Sequence, residues 1–464
     1  MTTSSFFGLE VALRALHTQQ RGLDTTNHNV ANANTPGFSR QRVVMEPTTP
    51  FMLPAFNRWQ QAGQLGTGVI AVTIERARDV FLDVQYRLQS GLQHQAQISR
   101  QALEQVEVVL NEPSEHGLGA QLGAFFNAWQ EVANDPSSAG ARRSLLQAAS
   151  ALAAGFNRAA QQLGALQADL NDQVQARVTE INDLANQLVA LNRQVVQAEV
   201  VGQRANDFRD RRDLLLDRLA AITPITVSEN ADGSVTVLLG GQALVAGNTA
   251  DPLTTTPTGP NGFWEVRFSS NNALVSATGG ELRGLLDARD QTVPSYLGEL
   301  NTLAGGLITT VNGLHTAGYG QDNVSGRPFF AGADAATIAL APAVASNPPA
   351  IAAASAPNAP GDNTTALAIA GLRHTLSPPP EDAFGALIAR LGQQTRAARD
   401  VEINQSTLVQ LIDRRRQEIS GVSLDEEAVQ MLRYQKAYEA AARLLTAYDQ
   451  LLDRLINGTG IVGR

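Results

Sequence analysis

The two ends of the chain carry apolar residues at alternating spacings of four and three, which is the pattern of a coiled-coil seam. The seam at the amino end consists of Phe6, Leu9, Leu13, Leu16, Gln20, Leu23, Asn27 and Val30. The seam at the carboxyl end consists of Leu424, Ala428, Met431, Gln435, Tyr438, Ala442, Leu445, Asp449, Leu452 and Ile456. The pattern predicts two long terminal helices that pair with each other and with other subunits. An ordinary amphipathic surface helix at each end is the alternative.

Local signals predict where these terminal helices end and begin. Residues 6–33 contain no proline, and the turn Thr35-Pro36-Gly37 ends the first helix because the residue before a proline avoids the helical conformation. Ser423 and Glu426 have the spacing of a capping box, which predicts that the last helix begins after Ser423. The acidic run 425–427 is interpreted as favouring the positive end of that helix.

The region between the terminal helices is predicted to be a helical body with extended segments. Its longest helical stretch follows Pro136 and runs to about residue 201 without another proline. Residues 341–361 contain nine alanines and five prolines, which predicts a surface loop or linker. The run Arg414–Arg416 is interpreted as a solvated helix face.

The apolar period changes from 3.6 to 2 after Thr223, which predicts β-strands. Apolar and polar residues alternate from Ile225 and again from Val235, with a turn at Asn230–Gly233 between them. Helix resumes at about Gly280, so this segment is predicted to be a small antiparallel β module inserted into the helical body.

The predicted fold class is mainly α, an elongated long-helix bundle built from both chain ends with one inserted small antiparallel β domain. Residues 1–35 and 424–464 would form the terminal coiled-coil helices. Residues 36–222 and 280–423 would form the helical body, and residues 223–279 the inserted β domain.

Composition and charge narrow the functional classes. At 464 residues and 43% hydrophobic, the chain can bury a sizeable core. It has no cysteine, which excludes disulfides and thiolate sites, and its six histidines show no paired metal-ligand spacing, so no metal and no cofactor is expected. A net charge of −9 argues against nucleic acid as a partner, and no segment is apolar enough to suggest a membrane span.

Both ends also resemble a known family. Residues Leu23–Arg42, LDTTNHNVANANTPGFSRQR, resemble the amino-terminal motif of flagellar rod, hook and hook-associated axial proteins. Residues Ser420–Gly458 resemble the closing motif of the same family. Three segments are most similar in sequence to the hook-associated members: Asn34–Gln41, Gly63–Arg78 and Asp79–Arg87.

This resemblance implies a structural subunit of the bacterial flagellum at the hook–filament junction, needed for filament assembly. It implies that the terminal helices line an inner tube and that the β insertion faces outward. The implied partners are copies of itself in an axial ring, the hook protein, a second junction protein, and a cytoplasmic export chaperone at the carboxyl-terminal helix. The implied location is extracellular, after export without a cleaved signal peptide. The expected subunit and partner contacts are Leu9, Leu13, Leu16, Leu23, Asn27, Asn29, Val30, Asn32, Ala428, Met431, Gln435, Tyr438, Ala442, Leu445, Leu452 and Ile456.

Two other functions are weighed against this interpretation. A hook or distal-rod protein shares the end motifs but normally carries more β sequence and less long helix, and the stretch 142–201 argues against it. A secreted hydrolase with a helical export region would need clustered acids or histidines in the β insertion. Its acids Glu229, Asp232, Asp251 and Glu265 are scattered, so we expect no catalytic site and not an enzyme.

Overall fold

The computed structural model describes residues 6–50, 65–259 and 262–458. These residues form the helices α1 (Phe7–Ala31), α2 (Val80–Leu110), α3 (Leu118–Asn134), α4 (Ala139–Glu199), α5 (Asn206–Ile222), α6 (Gly280–Asp287), α7 (Val293–Ala317), α8 (Pro342–Ala345), α9 (Thr364–Thr375), α10 (Pro380–Ser420) and α11 (Leu424–Gly458). They also form the strands β1 (Gln41–Pro47), β2 (Val69–Arg76), β3 (Ile225–Glu229), β4 (Val235–Leu239), β5 (Gln242–Ala246), β6 (Thr249–Ala250), β7 (Leu253–Thr256), β8 (Glu265–Phe268), β9 (Phe330–Ala331) and β10 (Ala339–Leu340). Long helices at both ends and small antiparallel sheets confirm the predicted fold class.

The 61-residue helix α4 is the axis of the helical body. The Ser138 side chain caps it by accepting a hydrogen bond from the backbone N–H of Ala141. Apolar residues recur along one side of α4 from Leu145 to Val195, and both of these ends are fully buried. Helices α3, α5, α6 and α7 and several strands pack against it, so one continuous hydrophobic core follows its length.

The β insertion packs along α4 and shares its core. Strands β3–β6 form a four-stranded antiparallel sheet, and β7 pairs with β8. Buried strand residues such as Val237 and Val266 belong to the same core cluster as α4. Asn192 of α4 donates to the carbonyl of Val235 at 2.9 Å and accepts from its N–H at 3.1 Å. Asn182 bonds both backbone groups of Leu253 in the same way, so side-chain amides of α4 satisfy strand groups that the sheets leave free.

The middle of the Ala/Pro-rich segment 341–361 is buried, so the prediction of a surface loop was wrong for residues 350–354, whereas residues 355–361 are largely exposed. Ile351 is 0% exposed, and the carbonyl of Ile351 accepts a 2.6 Å hydrogen bond from Nη1 of the buried Arg142. The buried His315 accepts from the N–H of Ala352 at 2.9 Å through Nε2. Alanine composition suggested exposure, but small side chains also let a backbone approach buried hydrogen-bonding groups closely.

The segment that follows α1 returns as a two-stranded sheet against that helix. Strands β1 and β2 pair antiparallel, with a bulge between Val44 and Met45. The sheet reaches α1 through Thr18, whose hydroxyl donates to the carbonyl of Val69 at 3.1 Å. The connection 51–64 lies outside the described residues.

Candidate functional site

The helices α1 and α11 pack against each other, which confirms the predicted pairing of the two chain ends. The ring of Tyr434 lies against Gly22, where an added Cβ would stand 2.7 Å from the ring. The ring of Tyr448 lies against Gly8 and would overlap a Cβ there. Later residues of α11 therefore meet earlier residues of α1, so the two helices run antiparallel.

A buried polar cluster joins the end of α1, the chain after it and the first turn of α11. Glu427 is only 2% exposed, and its Oε1 accepts from Nε of Arg40 at 2.7 Å. Its Oε2 accepts from the side-chain amide of Asn29 at 3.1 Å. Asn29 also bonds the backbone of Gln41 in both directions, at 2.9 Å each. We call these four residues, Asn29, Arg40, Gln41 and Glu427, the Glu427 cluster.

In the Glu427 cluster, the positive charge of Arg40 is paired with acidic side chains of α11. Burial opposes the charged form of Arg40, but hydrogen bonds and charges from Glu426 and Glu427 exceed that effect and raise its pKa. The acidic run was interpreted as helix capping, and only part of that holds in the structure. The N–H of Glu426 is 3.5 Å from Oγ of Ser423, while the Glu426 carboxylate bonds Arg40. Glu427 is a tertiary contact that the sequence pattern did not reveal.

Most of the predicted seam of α1 lies away from the contact with α11, on a side that the rest of the chain covers only in part. Residues 8, 22 and 29 face α11, and residues 14 and 18 face the β1–β2 sheet. Helical geometry turns Leu9, Leu16 and Leu23 away from both neighbours, and they are half-buried. Leu13 is 42% exposed and Val30 is also exposed. We call Leu9, Leu13, Leu16, Leu23 and Val30 the outer stripe of α1.

The three asparagines that were predicted as subunit contacts lie in different environments in the structure. Asn29 is 1% exposed and its amide is engaged in the Glu427 cluster, so, contrary to the prediction, it is not available to another subunit. Asn32 is half-buried and donates to the carbonyl of His28 at 3.0 Å, as a helix end requires. Asn27 is exposed and lies beside the outer stripe of α1.

On α11, each residue that faces α1 stands one position before a residue of the predicted seam. Glu427, Tyr434, Ala441 and Tyr448 recur every seven residues and contact or face α1. Four predicted residues fall between them on the same face and are half-buried or border it: Met431, Tyr438, Leu445 and Leu452. The other predicted residues lie farther round the helix, with Ala428, Gln435 and Ile456 exposed and Ala442 half-buried.

Four apolar residues of α11 that are not part of the predicted seam are more than half exposed: Val429, Leu432, Leu444 and Leu451. By helical spacing Val429 and Leu432 lie on the side away from α1, whereas Leu444 and Leu451 follow Ala441 and Tyr448 by three residues and border the contact with α1. We call these four exposed residues the outer stripe of α11.

A network of four arginines and four aspartates connects the β1–β2 sheet to the helical body. Its members are Arg76, Arg78, Arg87, Arg416, Asp83, Asp210, Asp213 and Asp217. Burial disfavours the charged form of Asp213, but the charges of Arg78, Arg76 and Arg87 exceed that effect and lower its pKa to about 2. Arg416 bonds Asp83 at 2.9 Å and Asp217 at 2.8 Å, so the prediction of a solvated face fails for this arginine.

Among the described residues, no group of histidine and acidic side chains is arranged to hold a metal ion. No helix within the described ranges combines the length and apolarity needed to cross a bilayer. The features that stand out among the described residues are the two outer stripes, and exposed apolar patches are typical of surfaces that contact other chains.

Three family models match the chain, two of them at its ends. The model of the flagella basal body rod protein matches residues 9–38, and that of the flagellar basal body rod FlgEFG protein C-terminal matches residues 415–458. The model of the flagellar hook-associated protein FlgK helical domain matches residues 103–330. The end matches coincide with α1 and α11, and the third covers α4 and the β insertion.

Individual relatives agree with these matches. Flagellar hook-associated protein 1 of Bacillus subtilis is 35% identical over 509 aligned residues, which cover 100% of both chains. Flagellar hook-associated protein 1 of Escherichia coli is 24% identical over 96% of this chain and 98% of the relative. The solved flagellar hook junction protein FlgK of Burkholderia pseudomallei is 17% identical and has the same fold, with a TM-score of 0.65 over 73% of this chain and 100% of that one. By its full-length similarity to the Bacillus subtilis relative, the chain belongs to the flagellar hook-associated protein 1 family.

Proposed function

We propose that this chain is a structural subunit of the bacterial flagellum at the junction between hook and filament, and that filament assembly requires it. The observation that carries this proposal is the outer stripe of α1, a row of leucines exposed or half-buried in a chain that buries leucines throughout its body. Membership of the hook-associated protein 1 family supports the location.

The outer stripes are surfaces for subunit contact in this proposal. Burying a leucine contributes about 1.5–3 kcal/mol, so stripes of four or five such residues supply a substantial contact. In a closed assembly every subunit repeats the same contact, and the contributions add around the ring. The first partner is therefore another copy of this chain, through the outer stripes of α1 and α11.

The remaining partners follow from the place of the subunit in the flagellum. The hook protein lies on one side of the ring and a second junction protein on the other. Residues 1–35 and 424–464 line the inner tube, while residues 36–222 and 280–423 form the body around it. Residues 223–279 face outward, which is compatible with their position along α4.

Export precedes assembly in this proposal. The chain leaves the cytoplasm without a cleaved signal peptide, and its final location is extracellular. A cytoplasmic export chaperone binds the carboxyl-terminal helix until then. The outer stripe of α11 supports this partner, because Leu444 and Leu451 lie seven residues apart on one side of the helix and offer an apolar face that a helical groove can cover.

The test compares two leucines of similar exposure. Leu13 lies in the outer stripe of α1 and is 42% exposed, while Leu367 of α9 is 51% exposed and lies outside both stripes. We expect Leu13→Asp cells to build hooks without filaments and to release flagellin, and Leu367→Asp cells to swim. Both purified monomers should melt near the parent temperature, because neither side chain is in a core. Electron microscopy of flagella and a swimming assay measure the result, and filamented Leu13→Asp cells would overturn the proposal.

A further inference from the structure

Four residue pairs along the α1–α11 interface share one register. Gly8 meets Tyr448, Gly22 meets Tyr434, and Asn29 meets Glu427. The same register places Ala15 opposite Ala441, which is almost fully buried. Each pair lies seven residues from the next on both helices. The interface therefore sets glycine, alanine, glycine and asparagine of α1 against tyrosine, alanine, tyrosine and glutamate of α11.

The two glycines have a cost that the pairing must offset. A glycine inside a helix is less favourable than alanine because it loses more backbone freedom on folding. Gly22 lies in the interior of α1 and Gly8 in its first turn, and both are covered by an aromatic ring. Every other residue type would place a Cβ where the ring of Tyr434 or Tyr448 stands. The glycines thus provide space for the rings.

Other alignments of the same two helices fail at several pairs. Sliding α11 by seven residues in either direction sets a tyrosine against Ala15 and an alanine against one of the two glycines, Gly22 or Gly8. Sliding so that Glu427 meets Gly22 also buries its carboxylate away from Arg40 and Asn29. Parallel pairing sets Glu427 against Gly8 and a tyrosine against Asn29. Each alternative combines steric overlap, an empty space and an unmatched polar group.

We propose that these four pairs are a recognition code that admits α11 onto α1 in one register and one direction only. The tyrosine–glycine pairs exclude slipped alignments by shape, and the Asn29–Glu427 pair excludes them by charge. One consequence concerns the outer stripes. Because the code sets the rotation of α11 on α1, it also sets which leucines the pair presents to other chains. The code does not depend on the flagellar role and is tested in the purified chain.

The absence of native cysteine makes register directly measurable in the full chain. The reporter is the double change Ala15→Cys with Ala441→Cys, which should form a disulfide under mild oxidation because the two positions are opposed. The negative control is Ala15→Cys with Ala428→Cys. Residue 428 lies thirteen residues from 441, about 20 Å along the helix at 1.5 Å per residue, so this pair should stay reduced.

The steric part of the code is tested by filling a glycine and then emptying its partner. In the reporter background, Gly22→Val should slow disulfide formation about tenfold, because overpacking at a closed contact is unfavourable. Adding Tyr434→Ala should return the rate to within about twofold of the parent by providing the lost space. The matched control is Gly164→Val in α4, where an added Cβ meets nothing within 4 Å. It should leave the rate unchanged.

Two results would overturn the proposal. One is a Gly22→Val reporter that cross-links at the parent rate. The other is a slowed Gly22→Val reporter that Tyr434→Ala does not restore, because the loss would then not come from the pair. If Gly22→Val does not yield soluble protein, Glu427→Gln tests the polar part. It should slow the reporter, because the amide cannot match both Arg40 and Asn29, and an unchanged rate would count against the code.

Discussion

The helical body and the terminal pair use leucine in opposite ways. Along α4, leucines such as Leu152 and Leu188 are fully buried within a single chain. Along α1, the intrachain contact to α11 is made by small and polar residues, while the leucines form the partly covered outer stripe. The body therefore buries its leucines within one molecule, whereas the stripe leucines are left for contacts with other molecules in the function proposed above. Sequence periodicity is similar in both regions, so periodicity alone does not distinguish a core from an assembly surface.

The sharpest test of this difference is a pair of truncations to alanine. Phe156 of α4 is fully buried, and Phe156→Ala should lower the free energy of unfolding by about 3–5 kcal/mol through lost burial and a cavity. Leu13→Ala on the outer stripe should change it by no more than about 0.5 kcal/mol. Chemical denaturation of the body followed by circular dichroism measures both values. Equal losses would mean that α1 contributes to the same core.

A pH titration separates the body from the termini through His315. Burial lowers the pKa of His315 to about 4, and the nearby charges of Arg142 and Arg327 act in the same direction. The unfolded chain binds this proton near pH 6.5, so the contribution to stability is complete above that pH and declines as the pH falls to 4. The loss should reach roughly 3 kcal/mol.

The variant His315→Gln provides the control for this titration, because it cannot bind the proton. Its unfolding free energy should be lower at pH 7 but should change less between pH 6.5 and 4 than that of the parent. Hydrogen exchange should place the acid loss in the body, around the segment 341–361 that His315 holds. An identical pH slope in parent and variant would show that His315 does not cause it.

A smaller, local effect is expected at the Glu427 cluster. Glu427→Ala removes one acceptor from the half-buried Arg40 and one from the buried amide of Asn29, which costs about 1–3 kcal/mol. The cost should appear as faster hydrogen exchange in α11 and earlier proteolysis there, with the body unchanged. Glu426→Ala is the matched control, because its side chain is 63% exposed and its ion pair with Arg40 is worth about 0–1 kcal/mol. If Glu427→Ala also lowered the stability of the body, the body and the terminal pair would not be independent in stability.

Much of the fold could be predicted because its signals are local. Proline placement and capping residues mark the ends of α1, α4 and α11, and the change of period marks the β insertion. The close packing of that insertion could not be predicted in the same way, because Asn182 and Asn192 look like ordinary polar helix residues. It makes deletion of residues 224–279 costly, since the apolar side of α4 would lose its cover.

The sequence by itself determined that the termini are long helices with apolar faces, because a 3.6-residue period needs only the order of residues. Only the tertiary structure decided which face of each helix meets the other. Helix α11 has apolar residues on several sides, including the exposed Val429, Leu432, Leu444 and Leu451, so the pattern alone does not select the contact face. The choice rests on shape and charge at single positions, where Gly22 admits Tyr434 and Glu427 finds Arg40 and Asn29. Such matches join residues about 400 positions apart, beyond the reach of any local pattern.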